Sequence, residues 1–236
     1  MQEVSDILSD KTIKRDGKYS FPYRFLVELR KRVAPLFRKK LNVSIEEELE
    51  GIEFTIFSNN CLGGVFYHDA NRRFTSPTVN TAMDGEDFLR FVENPKKYLS
   101  APMNFFTFSG HNYPIAQIED IEVRFVHYKT PEEAETKWRE RAERIVWDNI
   151  FIIATNHDGC GDRTIMERFN KLTYENKIMF VSNSYSQYPW AVEVPQFRGR
   201  FQVKIMTAFA NFKGQRYYET CFDIPKWIKE CTKNRI

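Results

Sequence analysis

Apolar residues return along this chain with two different periods, and the change between them divides it. From residue 21 to 41, Phe25, Leu26, Leu29, Val33, Leu36, Phe37 and Leu41 recur three or four positions apart, the spacing of one helical face. This predicts an amphipathic helix, kinked or interrupted at Pro35, whose apolar face packs on the main body or, as the alternative, on a second copy of the chain. Beyond it the pattern shortens. Ile52 to Phe57 is a strongly apolar run, and similar runs follow at Val79–Met83, Asn104–Phe108, Ile121–His127, Ile150–Thr155 and Ile178–Ser182. Val192–Val194 and Phe201–Ala208 are weaker strand candidates, and the second also fits a helix.

Helical segments separate these runs and carry clear start signals. Thr130-Pro131-Glu132-Glu133 supplies a cap, a proline at the first helical position and a capping-box glutamate before an amphipathic stretch to Ile145. Asp162 precedes Ile165, Met166 and Phe169, and Asp84 or Gly85 precedes Phe88, Leu89 and Val92, each with one shared apolar face. Strands alternating with helices predict an α/β fold, three-layer α/β/α with a mostly parallel sheet. The expected organisation is a polar lead-in and helix over 1–45 and a single α/β domain over 46–236.

Composition narrows the field. The 236 residues are 42% hydrophobic and 28% charged with a net charge of +3, a globular balance that does not point to nucleic acid. One segment is locally cationic, Arg30-Lys31-Arg32 with Arg38-Lys39-Lys40, and is read as a solvated helix face, with a membrane or polyanion contact as the alternative. No run approaches a membrane span, and Met1-Gln2-Glu3-Val4-Ser5-Asp6 lacks the pattern of a secretion signal. A cytoplasmic protein is expected. Cys61, Cys160, Cys221 and Cys231 have no metal-ligand spacing, so free thiols are expected and no metal site.

The chemistry lies where strands end. Four expected strands finish in polar clusters: Ser58-Asn59-Asn60-Cys61, His127-Tyr128-Lys129-Thr130, Asn156-His157-Asp158-Gly159-Cys160 and Ser182-Asn183-Ser184-Tyr185. In a parallel sheet these converge on the carboxyl edge, where α/β proteins bind ligands. Cys61, followed by Gly63 and Gly64, sits where a helix N-terminus favours a thiolate. His157 or His127 can take its proton, Asp158 can orient the imidazole, and Asn59 or Asn60 with the glycine amides can hold an oxyanion. His68 and His111 are weaker candidates, although His68-Asp69 lies just past the glycine turn.

Two other ligand chemistries fit the same edge. The N–H groups of Asn60 to Gly64 suit the diphosphate of a nucleotide sugar or of acyl-coenzyme A, with Arg72-Arg73 adding charge if they fold back. Tyr67, Tyr128, Tyr185, Tyr188 and Trp190 suit the C–H faces of a carbohydrate, whose hydroxyls Asn156 and Asn183 would bind. Trp138, Trp147 and Trp227 are assigned to the core, and Asp120-Ile121-Glu122 to structure rather than metal.

Five pieces together carry a family likeness: Ser58-Asn59-Asn60-Cys61-Leu62-Gly63-Gly64, the segment Arg124 to Thr130, Trp138 to Arg141, Val146 to Asn149 and Asp158 to Cys160. Over roughly residues 50 to 195, the chain resembles a bacterial family of unknown function often labelled exopolysaccharide biosynthesis protein. The resemblance implies an α/β fold and a surface-polysaccharide setting. A looser similarity, at the first turn alone, is to capsule-pathway acyltransferases and SGNH-type hydrolases, from which this chain departs by lacking the Gly-Asp-Ser block. The resulting expectation is a carbohydrate-directed group transferase, in its sharpest form acyl transfer through Cys61. The alternatives are a metal-independent glycosyltransferase and a noncatalytic sugar- or nucleotide-binding component.

Overall fold

The computed structural model describes residues 14–15, 18–19, 21–106 and 112–233, with side chains from residue 25 onward. Strands β1 (Lys14–Arg15) and β2 (Lys18–Tyr19) form a short antiparallel pair. Helix α1 (Phe21–Glu48) follows without interruption at Pro35, and it runs past the boundary expected at residue 45. Next come β3 (Thr55–Ser58), α2 (Leu62–Asp69), α3 (Gly85–Glu93) and α4 (Pro95–Ser100). Three antiparallel strands, β4 (Asn104–Phe106), β5 (Ile115–Ile118) and β6 (Ile121–Arg124), make a separate sheet. The chain continues through α5 (Pro131–Ala142), β7 (Ile150–Thr155), α6 (Arg163–Lys171), β8 (Lys177–Val181), β9 (Ala191–Glu193) and α7 (Ile224–Lys233).

The main sheet is four-stranded and wholly parallel in the order β3-β7-β8-β9. Both of its faces are covered, which is why the central strands read as unbroken apolar runs rather than alternating ones. Phe57, Ile152, Ala154, Met179 and Val181 pack on one side against Phe88 and Phe91 of α3, Trp138 of α5, Phe169 of α6 and Val123 of β6. Ile56, Phe151, Ile153, Ile178 and Phe180 point to the other, against Leu49, Leu62 and Phe66, Tyr218, and Ile224 and Ile228 of α7. The chain is thus an α/β protein, as its sequence pattern predicts.

Several local expectations are corrected. Asn104–Phe106 and Ile121–Arg124 are strands, but of the antiparallel sheet, and residues 107–108 lie outside the described set. Val79–Met83 contributes a single bridge, Ala82 to Arg124. Phe201–Ala208 is neither strand nor helix, and Phe201 is 93% exposed. Trp147 lies 41% exposed with the Lys96 ammonium 5.1 Å above its ring.

The largest correction concerns α1. Most of the face expected to enter the core is turned outward: Phe25, Leu26, Leu29, Leu36 and Phe37 are exposed, while Val33 and Leu41 are half-buried. The body receives Ala34, Arg38 and Ile45 instead, with Leu49 buried just after the helix ends. The reason is ionic. Buried Arg38 donates to Asp69 at the end of α2 (2.8 Å) and to both oxygens of Glu219 (2.8 and 2.6 Å). Arg216 reaches both oxygens of the same Asp69, and Glu219 accepts the Arg216 backbone N–H. Four charges of alternating sign therefore join α1, α2 and the 207–219 segment, each compensated by a partner as burial requires. Gly214 permits the closest approach, since a Cβ there would stand 2.8 Å from the Arg38 amide nitrogen.

Candidate functional site

The site begins where β3 leaves the sheet. Asn59, fully buried, prolongs the strand pairing with its side chain: its Oδ1 accepts the Thr155 N–H at 3.1 Å and its Nδ2 donates to the Thr155 carbonyl at 3.3 Å. Asn60 then turns the chain into α2, accepting the Leu62 N–H at 3.0 Å and donating to Thr155 Oγ1 at 2.7 Å. This is a side chain satisfying one of the orphan N–H groups at a helix start. Cys61 occupies the position directly before the first helical residue and is half-buried.

The two glycines serve packing. A Cβ at position 63 would meet Ser58 Cβ at 3.1 Å and Ile56 Cγ2 at 3.2 Å, and one at position 64 would meet Val79 Cγ1 at 3.0 Å. They let α2 lie flush on β3 and on the 76–80 segment. The open phosphate-cradling turn expected at Gly63 and Gly64 is instead the buried first turn of a helix. Arg72 does not add charge there, because it donates to the carbonyls of Leu49 and Ile52.

His127 arrives from the antiparallel sheet. After β6 the chain makes a turn, closed by the Tyr128 N–H on the Phe125 carbonyl at 3.1 Å, that holds the imidazole in solvent with its Nε2 3.3 Å from Cys61 Sγ. Tyr128 is buried beneath it, donating to the Val79 carbonyl at 3.1 Å. Buried Arg141 donates to the same carbonyl at 2.8 Å and to the Tyr128 hydroxyl, and its guanidinium lies 5.0 Å from the Phe74 ring centroid. Arg141 thereby ties together the two segments that flank the thiol and the imidazole, a role that its place in the Trp138 to Arg141 piece did not reveal.

Burial pushes the Cys61 thiol up from its ordinary range, and hydrogen bonding by its own backbone amide partly opposes this. Burial thus opposes the thiolate expected at this helix start, and a thiol within reach of a histidine ring nitrogen is suited to proton transfer as the sulfur attacks. Cys160 is different: it is buried, accepts from Asn59 Nδ2 at 3.3 Å, and is pushed up to about 12 chiefly by burial. It is a packing residue.

The second histidine forms its own pair. His157 Nδ1 lies 2.8 Å from Asp158 Oδ1, both about one-third exposed. Asp158 and Gly159 have φ of 50° and 83°, and the Gly85 N–H at the start of α3 donates to the Asp158 carbonyl at 2.7 Å. Asp158 thus orients His157, and the structure shows no contact from it to His127.

The remaining expected site residues divide by environment. Ser58 is buried, its backbone N–H donating to Thr78 Oγ1. Asn156 and Asn183 bind the chain rather than a sugar: Asn156 accepts from Val203 N–H, and Asn183 donates to the Arg200 carbonyl and accepts from Gly199 N–H. Tyr67 is a core residue whose hydroxyl meets Thr75 Oγ1 at 2.7 Å and accepts from Ile56 N–H. Asp69 is buried in the ion cluster described above, with His68 exposed beside it. Trp190, also buried, donates to Asn170 and stacks on Tyr188. The carbohydrate platform expected from these rings is corrected accordingly: only Tyr185 and Tyr188 remain partly open. His111 lies outside the described residues. Among the described residues no three His, Cys, Asp or Glu side chains converge as metal ligands, and no helix is long and apolar enough to cross a membrane.

A family model described as a domain of unknown function, DUF1919, matches residues 32–229. The chain belongs to the DUF1919 family. The match takes in all four strands of the parallel sheet and both histidine pairs, and it is wider than the likeness read from motifs. An uncharacterized protein of Haemophilus influenzae is 33% identical over 188 residues, covering 80% of this chain and 90% of that protein. The DUF1919 region begins within α1 and ends within α7.

Proposed function

We propose that this DUF1919 protein is a group-transfer enzyme in which Cys61 is the nucleophile and His127 its proton acceptor, acting on a carbohydrate of a surface polysaccharide. The observation that carries the reading is the 3.3 Å approach of His127 Nε2 to Cys61 Sγ at the start of α2. Cysteine and histidine come from different sheets, so neither loop explains the contact by itself.

Acyl transfer uses this arrangement most directly. As Cys61 sulfur bonds to the acyl carbon of a thioester donor such as acyl-coenzyme A, its proton passes to His127 and then to the departing thiolate. A sugar hydroxyl next attacks the acyl-enzyme, giving its proton through His127 back to the Cys61 sulfur. Cys61 stands directly before the first residue of α2, at the positive end of the helix, which favours negative charge developing there. His157, held by Asp158 at 2.8 Å, stands at the neighbouring strand end, where it can hydrogen-bond a second hydroxyl of the sugar. A groove of about 290 Å³, lined in part by Phe105, Tyr113, Pro114, Lys129 and Pro131, opens two residues from His127 and offers an apolar wall for a donor or sugar. The polysaccharide setting rests on the family likeness of the sequence. A nucleotide-sugar donor fits less well, since Gly63 and Gly64 are packed against side chains. The cytoplasm, where thiols stay reduced, is the setting that suits Cys61.

The test is acyl capture. Wild-type protein incubated with acetyl-coenzyme A should gain an acetyl group on Cys61 by mass spectrometry. His127→Ala should slow labelling by about 10²-fold or more, and Cys61→Ser should abolish it. Labelling that leaves Cys61 bare, or that is equally fast without His127, refutes the assignment.

A further inference from the structure

We infer that α1 is a docking surface for an anionic lipid bilayer, on which it lies flat rather than spanning it. The argument is independent of the thiol chemistry. At 100° per residue, Phe25, Leu29, Leu36 and Val43 fall within about 40° of one another, and they are 59%, 38%, 74% and 52% exposed. Leu26 and Phe37, 40% and 55% exposed, widen the same strip on one side. The buried residues Ala34, Arg38 and Ile45 occupy roughly the opposite face, so the strip points away from the body along about 27 Å of helix. Scattered exposed apolar residues are ordinary, but a continuous strip of this kind marks an interaction surface.

Charge selects the occupant. Arg32 and Lys39 border the strip on its other edge and Lys40 stands within it; all three are exposed and have no acidic partner among the described residues. Lys31, by contrast, is matched by Glu28 at 2.8 Å. In an antiparallel pairing of two copies Arg32 and Lys39 of one helix would lie on the same side as those of the other, and like charges would meet, while a parallel pairing would set them against the apolar edge of Leu26 and Phe37 and strip them of water. A bilayer bearing anionic headgroups meets the apolar strip with acyl chains and the cationic border with phosphates, the arrangement of an interfacial amphipathic helix. Within the span of the strip the acidic residue is Glu28, paired with Lys31, and Glu46, Glu47 and Glu48 come only after it has ended.

Vesicle flotation of the full-length protein tests this. Binding is expected to phosphatidylcholine vesicles that contain phosphatidylglycerol, to weaken with added salt, and to be absent from phosphatidylcholine alone. Replacing Arg32, Lys39 and Lys40 together by Gln should weaken it on the order of 100-fold, about fivefold per charge. Leu29→Ser with Leu36→Ser should abolish it while leaving the melting curve in place, since both positions are exposed. Equal binding to both vesicle types, or to neither, overturns the proposal. So does a lipid-free dimer that the Leu29→Ser and Leu36→Ser changes dissociate, which would assign the strip to a second copy. Retention on heparin that is indifferent to the leucines would assign it to a soluble polyanion.

Discussion

The substitution Asp69→Asn probes the joint on which the position of α2 depends. Asp69 is 1% exposed and accepts three hydrogen bonds from two guanidinium groups, those of Arg38 and Arg216. Asparagine keeps the shape but removes the charge and turns an N–H₂ group toward a donor. Glu219, which already binds Arg38 and the Arg216 amide, would then face two cations alone. Leaving one buried charge uncompensated costs about 3–5 kcal/mol, a large part of the ~5–15 kcal/mol that holds such proteins folded. For a chain of this size it corresponds to a fall in melting temperature of about 6–20 °C. Urea unfolding at neutral pH, followed by circular dichroism, measures it. The discriminating variant adds Arg216→Met, which restores charge balance. The double mutant should be destabilised by less than the sum of the two single changes, by at least about 1 kcal/mol. A loss below about 1 kcal/mol for Asp69→Asn, or strict additivity with Arg216→Met, would refute the idea that this cluster works as one unit.

Two further outcomes follow from separate parts of the chain. Gly85→Ala would place a Cβ 2.6 Å from the Cys160 amide nitrogen and 2.8 Å from the Gly159 carbonyl carbon. It should cost about 1–3 kcal/mol and, by lifting the 157–161 loop, make Cys160 reactive toward a thiol reagent under native conditions. An unreactive Cys160 with an unchanged melt would count against that packing. Asp87 is half-buried in α3, and burial raises it from its ordinary 3.8 to about 6, with the nearby Asp84 carboxylate adding to the rise and the Glu122 N–H opposing it. Because the folded value is the higher one, the native state holds the proton more firmly. The stabilisation is full below about pH 4 and is lost as pH rises through about 6. Asp87→Asn should therefore gain about 1 kcal/mol at pH 7, a figure reduced for partial exposure, and nothing near pH 4. A variant less stable than wild type at pH 7 would contradict this sign.

What the sequence revealed, and what it hid, follows from the range of the interactions involved. Local signals were legible. Thr130 accepts from the Glu133 N–H at 3.2 Å with Pro131 at the first helical position, and Asp162 and Asp84 cap their helices. The buried strands β3, β7 and β8 announce themselves because both faces of the sheet are covered. The outward turn of α1 was hidden, since helical spacing shows that a face is apolar without showing what it meets. Arg38 reaches partners 31 and 181 residues away, and that contact decides which side of the helix is buried. Polar strand ends were a real guide to the sheet edge, but most of their side chains carry structural loads. Asn59, Asn156 and Asn183 satisfy backbone groups, a use that composition cannot distinguish from ligand binding. Cys61 and His127 were both legible as candidates. That His127, rather than the Asp-paired His157, stands against the sulfur depends on a turn from the antiparallel sheet, whose strand β5 the sequence pattern did not reveal.

In the parallel sheet the strands follow one another in chain order, with no reversal to part neighbouring loops and open a crevice between them. The candidate edge must borrow one wall from elsewhere, and it takes the turn after β6 that carries His127. That turn makes no ladder bond with the main sheet and is tied to the thiol's side only through Tyr128, Arg141 and the Val79 carbonyl. Loosening those bonds would swing the imidazole away from the sulfur and leave the parallel sheet intact.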